Sequence, residues 1–599
     1  MNSSTRHRIL DATQASDITK VEVIQPLWNN YGNLCRVHLQ GGQHSSVILK
    51  HIQIPQDLHH PRGFASDISR QRKIRSYQVE THWYLNQNHQ LDARAPTPQC
   101  LDAFDAGSEL FLLLEDLATL DYGQPLSSVT WNEIAVVLRW LAQFHAQFLE
   151  NPAEGLWPCG TYWHLETRPE ELANIRGTRL HRYAALLDAR LRCGAYPTIV
   201  HGDAKLANFC FSTDRKDVAA VDFQYVGRGA AMKDLTYFIG SCLLESECQR
   251  LESQLLEVYF DALRSCLPQE VAAVALEQEW RELYPVAWAD FQRFMLGWSP
   301  GHRKLTAYSD AITERAIRQI TDELMEAATC AALAAGRFIQ ANRERPLQVA
   351  SKGFASQASD VVTEIDLQAQ ELILEHLAAT VQRYDLGTLA EEGEQDDSRL
   401  RKHAFWTIDP LDGTQYFIEG QPGYATSIAL VSQAGQTILG VVYDPVNDQL
   451  YQSIRGEGVT LNGQPLPAPS TEQEAAPTRW FADRSLRQQR DFQSYQRDFD
   501  IHFAGGAVMN ILQLLTHPNS CYVKSPKPSL GGCAIWDLAA VSLMLEELGG
   551  SSQFYNGQAL QLNRAESVFF NDVGLVFACA HVVISGLMAR VLSCAVEKG

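Results

Sequence analysis

Hydrophobic and polar positions alternate with a period of two near the start of the chain. The alternation runs through VEVIQPLW, NLCRVHLQ and VILK, which the turn-forming residues NNYG and GG separate. Alternation between turn signals predicts three antiparallel strands. The apolar run ELFLLLEDL at 109–117 predicts a further strand. We therefore expect a β-rich lobe at the beginning of the chain.

The pattern becomes helical between about residues 130 and 195. Apolar residues recur there at spacings of three and four, as in IAVVLRWLAQFHAQFL, which predicts an α-rich lobe. The polar segment 303–320 is interpreted as a join, and DELMEAATCAALAAGRFI then opens a second unit. We expect the boundary near residue 310 and divide the chain into domains 1–305 and 306–599.

The second unit mixes helical and strand patterns. It predicts a helix from about Asp366, a strand at Phe405–Ile408, and antiparallel strands at TSIALV, TILGVVY and QLYQSI. A helix is expected to follow Asp537 and to end at Gly549-Gly550, because glycine favours the left-handed residue that closes a helix.

Length and charge limit the classes of function. At about 150 residues per domain, 599 residues predict about four folding units, and two domains of two lobes each fit equally well. The net charge of -20, from 50 basic and 70 acidic residues, argues against nucleic-acid polymers and anionic membranes as partners. Small anionic substrates remain compatible, because a bound metal reverses the local field.

Cysteine usage and the apolar stretches bear on location. The 13 cysteines include no CxxC pair, which indicates reduced thiols in a cytoplasmic protein. The first residues, MNSSTRHRIL, contain no apolar run and predict no signal peptide. The stretch from Val573 to Met588 is short for a bilayer span and predicts a buried strand followed by a helix.

Acidic clusters in the second half are the main candidates for a catalytic site. The most informative is Asp409-Pro-Leu-Asp412-Gly-Thr, which follows the apolar strand FWTI and brings two carboxylates to a strand end. Carboxylates from separate positions suit Mg²⁺, which prefers hard oxygen ligands and can activate water against a phosphate ester. Gly413 and Thr414 are expected to open a helix whose free N–H groups hold the substrate phosphate. Taken singly, each cluster also fits a turn, a solvated face or an N-cap.

The order of these motifs resembles the inositol monophosphatase superfamily over about residues 316–595. The resemblance is carried by SDVVTEID, AEEG, WTIDPLDGTQYF and IWDLAA. It implies an α/β/α/β/α layered sandwich and a lithium-sensitive, Mg²⁺-dependent phosphatase with two or three metal ions. The metal ligands implied are Glu391, Asp409, the Leu411 carbonyl, Asp412 and Asp537.

Other residues are carried over from the same resemblance. It implies that Asp366 and Thr414 activate the water, and that Lys352 lies near the site. FWTIDPLDGTQYFIEG and ILGVVYDP look most like 3'(2'),5'-bisphosphate nucleotidases of the CysQ type. The segment before Asp537 departs from that pattern, and its Lys524 and Lys527 either meet a second phosphate or are solvated. The substrate class therefore stays open between nucleotide bisphosphates and inositol or sugar phosphates.

The first half carries a second constellation, VHGDAKLAN followed by VAAVDF. Phosphoryl transfer needs a base near the acceptor hydroxyl, Mg²⁺ ligands and a cation on the donor phosphates. Asp203 is the expected base, with Asn208 and Asp222 as metal ligands. Lys50, which closes the VILK strand, is the expected phosphate cation, and Glu80 on the next helix orients it.

These motifs resemble aminoglycoside phosphotransferase and choline-kinase-like proteins, and more closely the ecdysteroid-kinase-like group. The resemblance covers about residues 20–305 and implies a bilobal, protein-kinase-like α+β domain that binds ATP with Mg²⁺. Adenine is then expected at the backbone from Glu115 to Leu117. His201 is expected to be structural, and Asp234 to brace the catalytic loop through backbone N–H groups.

We therefore expect an Mg²⁺-dependent phosphatase fused to a small-molecule kinase. Its partners are ATP and a small phosphorylated metabolite, and the phosphatase half allows a homodimer. The covering loop NNYGNLC has a single glycine, Gly32. A non-catalytic nucleotide-binding domain that regulates the phosphatase is therefore the alternative.

Overall fold

The structure divides into two compact units, each of which has its own core. It is a computed structural model that describes residues 3–27, 31–53, 67–105, 109–123, 125–344, 349–351, 361–469 and 477–596. The units are Met1–Arg318 and Gln319–Gly599. The boundary predicted between residues 305 and 306 precedes this division.

An antiparallel five-stranded sheet with the order β1-β2-β3-β5-β4 opens the first unit. The strands are β1 (Asp17–Pro26), β2 (Gly32–Gln40), β3 (Ser46–Gln53), β4 (Cys100–Asp105) and β5 (Glu109–Glu115). The expectation that Lys50 closes its strand was wrong. β3 continues to Gln53 and is central, because β5 returns from downstream to pair with its second edge. Helices α1 (Ser3–Thr13) and α2 (Asp67–Asn86) accompany this sheet.

The rest of the first unit is mainly helical, as the spacing of its apolar residues predicts. The helix α8 packs against α4, α5, α6 and α7, so it is the centre of this lobe. The helices are α3 (Trp131–Gln147), α4 (Pro169–Asn174), α5 (Arg179–Arg192), α6 (Met232–Cys242), α7 (Glu245–Cys266) and α8 (Ala273–Trp298). The short strands are β6 (Thr198–Val200), β7 (Phe209–Phe211), β8 (Val218–Ala220) and β9 (Gly227–Gly229).

A single long helix, α9 (Ala307–Ala341), occupies most of the predicted polar join. The position of the join is confirmed, because the division between the units falls after Arg318, but the segment is helical from Ala307. Ile312, Ile317, Ile320 and Leu324 recur at helical intervals and are all buried. The polar residues between them occupy the opposite face of the same helix.

Two large sheets and a two-stranded pair, β10-β11, form the second unit. One has seven strands in the order β12-β13-β14-β15-β16-β17-β18, and the other has five in the order β20-β19-β21-β23-β22. The strands are β10 (Val349–Ser351), β11 (Val361–Thr363), β12 (Gly387–Ala390), β13 (Ala404–Asp412), β14 (Ala425–Ser432), β15 (Thr437–Asp444), β16 (Gln449–Ile454), β17 (Val459–Leu461), β18 (Gln464–Pro465), β19 (Thr478–Phe481), β20 (Phe499–His502), β21 (Ser520–Lys524), β22 (Ser551–Phe554) and β23 (Leu575–Ala578).

The helices of the second unit alternate with these sheets in five layers. They are the later part of α9, then α10 (Glu364–Arg383), α11 (Ser398–Arg401), α12 (Thr414–Ile418), α13 (Phe492–Asp498), α14 (Ala507–Leu512), α15 (Ile535–Glu547) and α16 (Ile584–Val596). α10 packs on the outer face of the seven-stranded sheet, α14 and α15 lie between the sheets, and α13 and α16 cover the five-stranded sheet. α15 is buried along nearly its whole length because it is apolar on every side.

The predicted strand and helix near residues 573–588 are β23 and α16. Within the described ranges, no helix is long and apolar enough to cross a membrane.

The contact between β15 and α15 gives a test of the layered core. A methyl group on Gly440 would lie 2.8 Å from the Cα of Ala540. Gly440→Ala is therefore expected to lower the free energy of unfolding by about 1–3 kcal/mol, measured by denaturant titration. Gly586→Ala on α16 is the control, because its added Cβ meets nothing within 4 Å. Equal effects of the two substitutions would contradict the close packing.

Candidate functional site

The acidic residues of the second unit converge where one strand ends and two helices begin. Asp409 and Asp412 lie at the end of β13, where an irregularity in its pairing with β14 separates them. Asp366 lies in the first turn of α10 and Asp537 in the first turn of α15. The helix expected to follow Asp537 thus begins two residues earlier, at Ile535, and the Asp537 side chain accepts from the backbone N–H of Ala534 at 2.5 Å.

Three of the predicted metal ligands form one cluster. Carboxylate oxygens of Asp409, Asp412 and Asp537 all lie within 4.8 Å of one another, and the three residues are buried. Oδ1 of Asp409 accepts from the N–H of Leu411 at 3.0 Å, but its buried Oδ2 has no hydrogen-bond partner among the described residues. An orphaned carboxylate oxygen in such a cluster fits a hard divalent cation.

Electrostatics in this cluster favour protonation unless a cation is present. Burial, followed by the charge of Glu391, raises the pKa of Asp537 to about 7. Burial and the neighbouring carboxylates raise the pKa values of Asp409 and Asp412 well above their usual range. The charge of Glu391 therefore acts on these carboxyl groups, although Glu391 does not belong to the group whose carboxylate oxygens lie within 4.8 Å of one another. Like charges this close shift protons onto the carboxyl groups.

Backbone N–H groups that follow a glycine pair hold Asp412 in place, and the sequence analysis did not identify this contact. The Asp412 carboxylate accepts from the N–H groups of Ala507 at 3.1 Å and Val508 at 3.0 Å, at the start of α14. A Cβ on Gly506 would lie 2.3 Å from Oδ2 of Asp412, so only glycine permits this approach. The run Gly505-Gly506 directly before a short helix was the available signal.

The predicted water-activating pair is also brought together. Oγ1 of Thr414 lies 3.1 Å from Oδ1 of Asp366 and 3.1 Å from the Leu411 carbonyl oxygen, and it can donate to either. Gly413 precedes α12 with φ of 85°, a conformation that favours glycine. Thr414 is the first residue of that helix, as expected. Lys352 lies outside the described residues.

A second set of charged residues meets in the first unit. Nζ of Lys50 lies 2.6 Å and 2.8 Å from the two carboxylate oxygens of Glu80, which belongs to α2 as predicted. It also lies 3.2 Å from Oδ1 of Asp222. Although burial acts to lower it, the carboxylates of Glu80 and Asp222 raise the pKa of Lys50. The expected cation and its orienting carboxylate therefore form a buried pair next to an expected metal ligand.

Asp203 and Asn208 lie in one loop and contact each other. Nδ2 of Asn208 donates to the carbonyl of Asp203 at 2.8 Å and to its Oδ2 at 3.1 Å. Burial raises the pKa of Asp203, and Lys205 opposes that shift through a contact of 2.8 Å with Oδ2. Lys205 was not among the predicted site residues, although it stands two positions after the expected base.

The residues expected to support this loop do so. Asp234 accepts from the backbone N–H of His201 at 2.5 Å and of Gly202 at 2.9 Å. The Nδ1 atom of His201 accepts from the N–H of Asp203 at 3.2 Å. The loop is thus held through its backbone groups, and the Asp203 carboxylate is not needed to brace it.

The segment expected to meet adenine ends β5. Glu115 pairs with Val47 of β3, and the Leu117 carbonyl accepts from the N–H of Tyr122 at 3.1 Å. Asp116 between them accepts from Arg36 and Ser46, each at 2.6 Å. Gly32 of the covering loop is described, whereas residues 28–30 lie outside the described ranges.

Comparison with known proteins relates the second unit to one family. The model of the inositol monophosphatase family matches residues 320–593. A Nus factor SuhB of Pasteurella multocida is 30% identical over 249 residues, which cover 39% of this chain and 86% of that protein. The chain belongs to the inositol monophosphatase family.

Other family members carry different names. The Inositol-1-monophosphatase of Synechocystis is 30% identical over 246 residues, covering 40% of this chain and 81% of that protein. The Histidinol-phosphatase of Chlorobaculum parvum is 32% identical over 221 residues, covering 36% and 78%. In the first unit, the model of the ecdysteroid kinase-like family matches residues 161–269.

The lysine-bearing segment of the inositol monophosphatase unit adjoins the acidic cluster, because Lys524 contacts Cys533 and the next residue, Ala534, donates its N–H to Asp537. Nζ of Lys524 lies 2.6 Å from Oδ2 of Asp483 and 3.2 Å from Sγ of Cys533. Lys524, Lys527 and Gly532 share a small cavity. Burial and then the charge of Lys524 lower the pKa of Lys527. Lys524 is thus not simply solvated, because it has a fixed carboxylate partner.

The raised pKa of Asp537 predicts a pH dependence of stability in the metal-free inositol monophosphatase unit. The folded state binds this proton more tightly than the unfolded chain, so stability is greatest at low pH and falls as pH rises from about 4 to about 7. With EDTA present, the loss is expected to be on the order of 3 kcal/mol. Thermal unfolding between pH 4 and pH 8 measures it.

Asp537→Asn is the matched variant, because an amide oxygen can keep the hydrogen bond to Ala534 without a charge. It should flatten the pH dependence and raise the melting temperature at pH 8, and Mg²⁺ should stabilise the wild type more than the variant. A variant with the same pH profile as the wild type would contradict the electrostatic account.

Proposed function

We propose that the inositol monophosphatase unit is a Mg²⁺-dependent hydrolase of phosphate monoesters. One observation carries the proposal: three buried aspartates with an orphaned oxygen stand beside a hydroxyl–carboxylate pair. The first feature suits a divalent cation, and the second suits removal of a proton from water. Both belong to the same strand end, so a single bound phosphate ester can meet them.

Asp409, Asp412, Asp537, Glu391 and the Leu411 carbonyl are the residues that would hold Mg²⁺. Bound Mg²⁺ would neutralise phosphate charge and lower the pKa of water.

The chain's own groups then have separate tasks. Asp366 accepts the proton that leaves the attacking water, relayed through the Thr414 hydroxyl. The N–H groups of Gly413 and Thr414 orient the phosphate, and the contacts from Ala507 and Val508 keep Asp412 aimed at the cluster.

For the substrate, we propose a 3'(2'),5'-bisphosphate nucleotide, with an inositol phosphate as the second candidate. The cationic segment of Lys524 and Lys527 beside the cluster favours a substrate with more than one anionic group. The names of the relatives favour single monoesters, because they include an inositol-1-monophosphatase and a histidinol-phosphatase. The 13 free cysteines support a cytoplasmic location.

Phosphate release from the full-length protein with Mg²⁺ tests the hydrolase. Adenosine 3',5'-bisphosphate, inositol 1-phosphate and histidinol phosphate are compared, with and without lithium. Asp366→Asn and Thr414→Val are each expected to lower kcat by about 10²–10⁴, because they remove the proton acceptor or its relay. Asp572→Asn is the control, since Asp572 is exposed and pairs with Arg564. Unchanged turnover in both site variants would sink the proposed roles.

We propose that the first unit is an ATP-dependent kinase of a small molecule. The buried pair of Lys50 and Glu80 beside Asp222, together with the contact between Asp203 and Asn208, supports this function. These residues offer a cation for the donor phosphates, two oxygen-bearing metal ligands and a base with a raised pKa. The match of residues 161–269 to the ecdysteroid kinase-like family points the same way.

A nucleotide sensor without catalysis is the second candidate, favoured by a covering loop whose sequence has a single glycine. Asp203→Asn decides between the two. If the unit is a kinase, the variant should lose about 10²–10⁴ of acceptor-dependent ADP formation while binding ATP as before. If it is a sensor, no acceptor pool should promote ADP formation in the wild type, and ATP should alter phosphate release instead.

A further inference from the structure

An aromatic wall stands beside Asp203 in the first unit. Tyr162, Trp163, Tyr237, Phe291 and Phe294 pack against one another with Met295. The hydroxyl groups of Tyr162 and Tyr237 are 3.2 Å apart. The N–H of Tyr162 donates to the carbonyl of Gly202 at 3.4 Å, so the wall adjoins the loop that carries Asp203. Burial and then the charge of Asp203 raise the pKa of Tyr237, as a nearby carboxylate does. The wall therefore borders the space that an acceptor hydroxyl must enter.

Lys304 brings a positive charge to this wall. Its Nζ lies 4.6 Å from the centre of the Tyr237 ring and 5.2 Å from that of Phe291. No carboxylate of the described residues forms an ion pair with it. Burial lowers the pKa of Lys304 to about 8, and the charge that most opposes this shift is Asp203.

Two buried lysines of the same unit have carboxylate partners. Lys50 pairs with Glu80, and Lys233 lies 3.4 Å from Asp290, which also pairs with Arg293 at 2.8 Å. Lys304 has aromatic faces instead, and these offset only part of the cost of burying a charge. A half-buried ammonium group without a carboxylate is therefore matched to an anion that arrives from solution.

We propose that Lys304 binds an anionic group, a carboxylate or a phosphate, on the acceptor whose hydroxyl is phosphorylated next to Asp203. The proposal rests on the kinase function proposed above. Lys304 and Asp203 act on different groups of the acceptor, so the acceptor carries its anion and its reacting hydroxyl at different atoms.

In the reaction, the acceptor oxygen bonds to the γ-phosphorus of ATP and the bond from that phosphorus to the bridging oxygen breaks. ADP leaves, and the hydroxyl proton passes to Asp203. Lys304 takes no proton in this step. It is a specificity-determining residue that selects anionic acceptors over neutral or cationic ones.

Chemical footprinting of the full-length protein tests the anion site directly. The rate at which acetic anhydride modifies Lys304 is followed by mass spectrometry with glycerol, glycerate or glycerol 3-phosphate. At ten times the dissociation constant, a bound anion should slow modification about tenfold. Glycerol should not slow it, and exposed Lys216 should react equally throughout. The two anions distinguish a carboxylate acceptor from a phosphate one. Protection by neither anion, or equal protection by glycerol, would overturn the proposal.

Acceptor kinetics provide the second test, in an Asp412→Asn background that silences phosphate release. Lys304→Met should raise KM for the anionic acceptor about 10- to 100-fold and leave KM for ATP unchanged. Arg303→Met is the matched control, because this neighbouring residue is exposed. Phosphorylation of neutral glycerol that is insensitive to Lys304→Met would overturn the anion site while leaving the kinase intact. Protection of Lys304 without any phosphoryl transfer would support the anion site and count against the kinase.

Discussion

The second unit depends on holding three buried carboxylates close together. Asp409, Asp412 and Asp537 repel one another, and burial increases that repulsion because it weakens screening. No described side chain forms an ion pair with any of the three, and the main chain positions them. A buried strand supplies two of the aspartates, and α15, enclosed between two sheets, supplies the third. Backbone N–H groups at the start of α14 then hold Asp412.

The first unit solves the opposite electrostatic problem. Its buried lysine, Lys50, is matched by Glu80 and Asp222, so the charges are compensated before any ligand arrives. Lys304 is the contrasting case, because aromatic faces surround it where a carboxylate would be expected. The aspartate cluster of the second unit has no cationic side chain of the described residues paired with it, which indicates a cationic ligand. Within the described ranges, Lys304 of the first unit has no carboxylate paired with it, which indicates an anionic ligand.

Local patterns predicted many of the longer elements and many of the site residues. Alternation predicted β1, β2 and β3, and the buried runs predicted β13, β14 and β15. In β1 the alternation does not correspond to a buried face, because Ile18 is its one buried residue. Pattern reasoning failed where pairing is long-range or where polar residues hide a spacing. The central position of β3 depends on β5, and α9 begins at Ala307 because its buried isoleucines keep helical intervals.

The sequence by itself determined which chemical groups are present and in what order. The Asp409-to-Thr414 motif, the aspartate of IWDLAA and the HGD…N…D spacing are local, so they can be read from neighbouring residues. Only the tertiary structure decided which groups meet. Three contacts join residues far apart in the chain. They are the N–H groups that hold Asp412, the pairing of Lys524 with Asp483, and the packing of Lys304 on the aromatic wall. These contacts depend on how whole layers and helices pack, which no local pattern encodes.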